Sequence, residues 1–186
     1  MQVKILSILS AIILVLCFTL PSLADDSGAI TITMTGVNEI SITLDKTGWD
    51  LGDVASNIVI ETTPPIQWCI LTVDGNTNVN TFIVGEDAKW VDDPAAYEWT
   101  LSYDGSNGEH KYGLWFRISG DTTRGPNEDG YVPATKTINE FWPYPGKGSS
   151  LEPSDTKQFG LRLITPTYFY GSRDMQTQVT ISAVAA

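Results

Sequence analysis

The apolar residues of this chain recur at every second position in short runs, and no segment carries the 3.6-residue period of an amphipathic helix. Residues 29–35 read Ala-Ile-Thr-Ile-Thr-Met-Thr, which places Ile30, Ile32 and Met34 on one face and the threonines on the other. Residues 40–44 repeat the pattern with Ile40, Ile42 and Leu44. Further alternating runs fall at 58–62, 67–73, 80–84, 97–103, 112–119, 131–138, 158–165 and 176–183. Between them lie clusters such as Asp74-Gly75-Asn76, Asp104-Gly105-Ser106-Asn107-Gly108 and Gly125-Pro126-Asn127. These residues turn a chain because they tolerate positive φ or carry a preset φ. Roughly ten short strands in one chain of this size predict an all-β fold, a single antiparallel β-sandwich or jelly-roll-like domain. One short helical turn is expected within 86–96, and the longest irregular stretch spans 139–155.

The N-terminus is built differently. Lys4 is the only charge before Asp25, and an apolar run of about 16 residues extends from Ile5 to Leu20, short of the roughly 20 that span a bilayer. Pro21-Ser22-Leu23-Ala24 then supplies small residues at −3 and −1 of a cleavage site. Residues 1–24 are therefore expected to be a signal peptide, and 25–186 the secreted β-sandwich domain, with no membrane anchor after cleavage. The 186-residue chain carries a formal net charge of −11. That balance disfavours nucleic acid and anionic membranes as partners. Cys17 leaves with the leader, so Cys69 stands alone in an apolar run and no intrachain disulfide forms. Its expected role is a small buried hydrophobe.

The chemistry-bearing residues are sparse. A Ser-His-Asp or Cys-His set needs a histidine base, and the one histidine, His110, lies in the turn-like Gly108-Glu109-His110-Lys111. No Gly-x-Ser-x-Gly elbow, P-loop or zinc helix is present. Carboxylate pairs among Glu61, Glu98, Glu140 and Asp92 have no spacing that joins them. The chain is therefore not expected to be an enzyme, and no cofactor is expected. Calcium stays open at no assigned position. Asp74-Gly75-Asn76-Thr77-Asn78 begins like an EF-hand loop, but Val79 stands where the turn glycine belongs and Gly85 where the closing glutamate belongs, so a hairpin turn is expected instead. Asp92-Asp93, Asp121 and Asn127-Glu128-Asp129 are the other oxygen-rich loops. Among the six tryptophans, Trp68, Trp99 and Trp115 sit in strand runs and are expected in the core. Trp142 and Tyr144, in Trp142-Pro143-Tyr144-Pro145-Gly146, are the candidates for an exposed contact to a sugar or a neighbouring subunit.

The two ends of the chain share one property. Residues 29–35 and 176–183 both alternate small or apolar residues with Thr, Gln or Ser, and no charged residue occurs between Asp26 and Glu39. Natural sandwiches usually protect a free strand edge with Lys, Pro or a bulge, and neither end has that protection. The Asp74–Gly85 segment opens a strand with an Asn- and Gly-bearing turn. Phe159-Gly160-Leu161-Arg162-Leu163-Ile164-Thr165-Pro166-Thr167, then Gly171 and a final strand, close the chain. In these features the chain resembles prokaryotic filament-forming sandwiches, the donor-strand pilins and biofilm-fibre subunits. The resemblance implies a structural subunit of an extracellular, cell-surface filament of pilus or fimbria type, polymerised with copies of itself by strand donation. Ile30, Ile32 and Met34 would then be the side chains of the donated strand. The alternative is a monomeric secreted adhesin module that binds carbohydrate or a cell surface, with cell-surface or matrix glycans as partners. If the leader is cleaved after Ala24, intact-mass measurement of the exported protein returns a chain that begins at Asp25.

Overall fold

The computed structural model describes residues 34–95, 98–120, 130–143, 148–169, 171 and 174–186. Residues Val37–Ala186 form one compact unit; the unit before it, Met1–Gly36, is described only from Met34. Twelve strands are present: β1 (Ile42–Leu44), β2 (Val59–Glu61), β3 (Cys69–Val73), β4 (Val79–Gly85), β5 (Ala88–Trp90), β6 (Glu98–Leu101), β7 (Lys111–Ile118), β8 (Val132–Pro133), β9 (Asn139–Trp142), β10 (Thr156–Ile164), β11 (Met175–Gln176) and β12 (Val179–Ala185). No helix occurs among the described residues. A large sheet runs β1-β3-β10-β7-β6-β5-β11, with β2 added beside β10 and β8 beside β7; a small sheet runs β12-β4-β9.

The alternation of β7 and β10 decides how the molecule is layered. In β7, Tyr112, Leu114, Phe116 and Ile118 face one way into the core, with Phe159 and Leu163 of β10 beside them. Across from them, the small sheet contributes Val79, Ile83 and Phe141 to the same cluster. Phe141 stacks on Phe116 with ring centroids 5.5 Å apart and meets Phe159 edge-on at 5.1 Å. Offset-stacked and edge-on aromatic pairs add about 0.5–1.5 kcal/mol beyond the area they bury. Leu71 and Val73 of β3 and Leu151 complete the interior.

The opposite side of β7 and β10 is covered as well. Gly113, Trp115 and Arg117 point away from the main core. The loop after β6 folds onto them: the Trp115 indole N–H donates to the Gly105 carbonyl at 2.9 Å, and a Cβ at Gly113 would strike that carbonyl. Asp104 organises this loop, receiving the hydroxyls of Ser102 and Ser106 and the Ser106 amide, which together hold its carboxyl well below the usual range. Further along, Trp68 lies against Gly160, and its indole donates to the Thr62 carbonyl. Arg117 sits over both the Trp68 and Tyr131 rings, at 5.1 and 4.8 Å, and Arg162 over Tyr131 at 3.8 Å. Arg162 also donates to Glu61 at 2.7 Å. Guanidinium planes stack on aromatic faces and so seal this layer without a purely apolar surface.

Several expectations need correction. The fold is all-β, yet not wholly antiparallel: β6 and β7 pair in parallel through Thr100↔Lys111 and Leu101↔Tyr112. The compact loop between them returns the chain to the same end of the sheet. The Asp74–Asn78 segment is no hairpin, because β3 belongs to the large sheet and β4 to the small one. A strand, β5, occupies the 86–96 stretch where a helical turn was expected, and β9 falls inside the stretch read as irregular. Trp68 and Trp115 are buried, but in the outer layer; Trp99 is half-buried and stacks on Phe169 at 5.1 Å. Phe141 is the side chain on which the contact between sheets turns. Phe141→Ala is expected to lower unfolding free energy by about 3–5 kcal/mol in urea denaturation.

Candidate assembly edge

The small sheet has two outer strands, and they differ in kind. β9 spans four residues, carries Glu140, meets β4 with a register shift between Thr81 and Phe82, and runs into Pro143. Charge, bulge and proline are the devices that blunt an edge. β12 has none of them. It is seven residues long and pairs rung by rung with β4 from Val179↔Gly85 to Ala185↔Val79. Its other side has no ladder partner among the described residues. The remaining outer strands β1, β2, β8 and β11 run two or three residues each. Along β12, Val179, Ile181 and Ala183 pack against the core, while Thr180, Ser182 and Val184 face solvent.

Both ends of the compact unit converge on the loop between β3 and β4. At the C-terminal end, the Ala186 amide donates to the Asn78 carbonyl at 2.9 Å. At the N-terminal end, Asn76 takes the Glu39 amide on Oδ1 at 2.7 Å and donates from Nδ2 to the Val37 carbonyl at 2.8 Å. Its own amide donates to the Glu39 carbonyl at 3.0 Å, and the Asp74 and Gly75 amides reach the Ser41 carbonyl at 3.0 and 3.2 Å. A side chain at Gly75 would collide with the Glu39 carbonyl, so glycine permits the close approach. Asn76 and Asn78 are two residues apart, about 7 Å of extended chain. The chain therefore enters the domain where β12 leaves it.

Of the side chains singled out for assembly, Ile30 and Ile32 lie outside the described residues. Met34 is described: it belongs to no strand and is 86% exposed. Tyr144 also lies outside. Trp142 is half-buried in β9, and Gly148 and Ser149 lie against it. Its indole N–H donates to the Ser149 carbonyl at 3.0 Å, a Cβ at Gly148 would strike its ring, and Lys157 Nζ stands 3.9 Å from the ring centroid. A sugar would have to displace that lysine to stack there.

The remaining candidates are placed as follows. The Asn76 side chain is committed to Val37 and Glu39, and among the described residues no cluster of three or more His, Cys, Asp or Glu is arranged to hold a metal. Asp121 and Asn127-Glu128-Asp129 lie outside the described residues. Glu61 is tied to Arg162, and His110 lies within 3.5 Å of Glu109. Cys69 is half-buried beside Asp45; burial and then that carboxylate raise its pKa, which suppresses the reactive thiolate. The long edge of β12 and the Asn76 clamp were not picked out as sites from the sequence. The alternation over 176–183, with Val179, Ile181 and Ala183 on one face, is the sequence signal by which the first could be found.

No protein-family model matches this chain, and no curated protein matches it. Asn76→Ala removes two side-chain bonds to the entering segment. Hydrogen exchange at the Glu39 amide is expected to speed up by about tenfold, the equivalent of about 1.4 kcal/mol, with little change in the global unfolding midpoint.

Proposed function

We propose that the chain is a secreted β-sandwich subunit of an extracellular filament, in which copies join by β-strand addition. The contact of Phe141 with Phe116 and Phe159, which joins the two sheets, supports the sandwich part of this reading. The leader-like residues 1–24 supply the route out of the cell. One observation carries the reading: the outer side of β12 is a seven-residue, uncharged, proline-free edge with no ladder partner among the described residues. A row of unpaired N–H and C=O groups is a template for another strand, and proteins that remain monomeric usually interrupt it. The charge-free arm with Ile30, Ile32 and Met34 is the strand the same chain offers, and main-chain hydrogen bonds would give the joint its affinity.

The exported protein is expected to form fibres visible by negative-stain electron microscopy. Deletion of residues 27–36 is expected to leave a folded species of unchanged circular dichroism that sediments as a monomer. A wild-type protein that stays monomeric at every concentration tested overturns the reading.

A further inference from the structure

The chain contains a single Asn-Gly pair, Asn107-Gly108, and the fold sets it at a joint between segments far apart in sequence. We propose that Asn107 is a self-modification site, converted through attack by the Gly108 amide to aspartate or isoaspartate, and that the conversion permanently loosens the joint.

Asn107 Nδ2 donates to Asn57 Oδ1 at 2.9 Å and to the Thr165 carbonyl at 2.8 Å. It thereby ties the loop 104–108 to a residue 50 positions earlier and to one 58 positions later, just past β10. Thr165 is fully buried and holds the 55–58 segment itself. Its hydroxyl donates to the Ala55 carbonyl and accepts the Ile58 amide, each at 2.9 Å. The Asn57 amide adds a bond to the Pro166 carbonyl at 2.8 Å. The same loop carries Gly105, whose carbonyl receives the Trp115 indole. What loosens the loop therefore also loosens the cover over a buried tryptophan.

An asparagine followed by glycine cyclises readily, because no Cβ on the second residue hinders its amide nitrogen from reaching the side-chain carbonyl. The Gly108 nitrogen gives its proton to solvent base and bonds to Asn107 Cγ. Nδ2 leaves as ammonia, and a cyclic succinimide remains. Water then opens either of its carbonyls. Opening at one restores the backbone and leaves aspartate; opening at the other routes the backbone through the side chain as isoaspartate. The closed loop holds this reaction back. The Gly108 amide donates to the Lys111 carbonyl at 3.0 Å, the Thr167 amide holds the Gly108 carbonyl at 3.0 Å, and the leaving nitrogen is bonded twice. The step proceeds through local opening of the loop. The neighbouring Asp104-Gly105 pair is disfavoured, because the donors on Asp104 Oδ1 keep it a carboxylate, a poor acyl group.

Either product places an anion where an NH2 donor stood. Asn57 can turn its amide to offer a donor, but the Thr165 backbone carbonyl cannot, and it is left facing a carboxylate. Isoaspartate also lengthens the backbone by a methylene just before Gly108 and draws it off the Lys111 and Thr167 bonds. Because the ammonia is lost, the change runs one way.

The test is ageing of the purified full chain at mildly alkaline pH, followed by peptide mapping and hydrogen exchange. Asn107 is expected to convert ahead of every other asparagine, to a mixture of isoaspartate and aspartate, while exchange at the Asn57 and Ile58 amides rises about tenfold. Asn107→Asp is expected to show the faster exchange without ageing. Gly108→Ala, whose added Cβ meets only the Lys111 side chain at 3.3 Å, is expected to keep Asn107 amidated and the exchange slow. Should that variant misfold, the isoaspartate in the parent protein decides the route, since direct hydrolysis of the amide yields aspartate only. Conversion of other asparagines while Asn107 stays intact, or aspartate at 107 with no isoaspartate, would overturn the site. Conversion of Asn107 with unchanged exchange at Asn57 and Ile58 would overturn the loosening assigned to it.

Discussion

The contact of Phe141 with Phe116 and Phe159 is the interaction on which the architecture depends. The large sheet has its other face occupied by a second layer, so its apolar face needs one partner sheet and finds it in three strands. Phe141 is the fully buried side chain of β9, and without it the small sheet would meet the large one through β4 and the half-buried residues of β12. The core thus holds β4 in the middle and leaves β9 and β12 as its flanks. The availability of the β12 edge follows from how the interior is filled.

The second layer has a different logic. Trp68 and Tyr131 are large and buried, yet arginines lie over their rings, Arg117 over both and Arg162 over Tyr131, while buried Trp115 is closed by the Gly105 loop. Glycines at 113 and 160 let the loop carbonyl and the Trp68 ring lie directly on the strands. Burial pushes the Tyr131 hydroxyl's pKa up, and the Glu61 carboxylate adds to it, so the phenol stays protonated and available as a donor to Glu61. In a chain of net negative charge, the arginines here are structural cations, held by rings and a carboxylate.

Much of the strand content was legible because β4 alternates at every second residue and β7 and β10 are long runs rich in aromatic and branched apolar residues. The run 112–119 differs from β7 by one residue at each end. β9 was illegible because only Phe141 of its four residues is fully buried, too little to set a period. β5 is three residues, shorter than any pattern can resolve. The sheet to which a strand belongs is a long-range property: nothing local in Asp74–Asn78 distinguishes a hairpin from a crossing between sheets. The Asn76 clamp was hidden for the same reason, since its side chain acts on residues 37 and 39 positions away. The alternation at both ends was visible, but which of them forms a paired strand with an open side depends on the partner β4 provides.

The clamp has a mechanical consequence. Tension drawn through the N-terminal segment reaches the folded body first at Asn76 and at the Ser41 carbonyl, a handful of bonds at one loop. The same loop receives the last rung of β12. A pull along the axis of β12 would load its seven rungs against β4 together, as a lap joint in shear, whereas a pull across them would open the rungs one after another. Because entry and exit share this loop, a load passed from the arm to the tail crosses only a few residues of backbone and bypasses the aromatic interior.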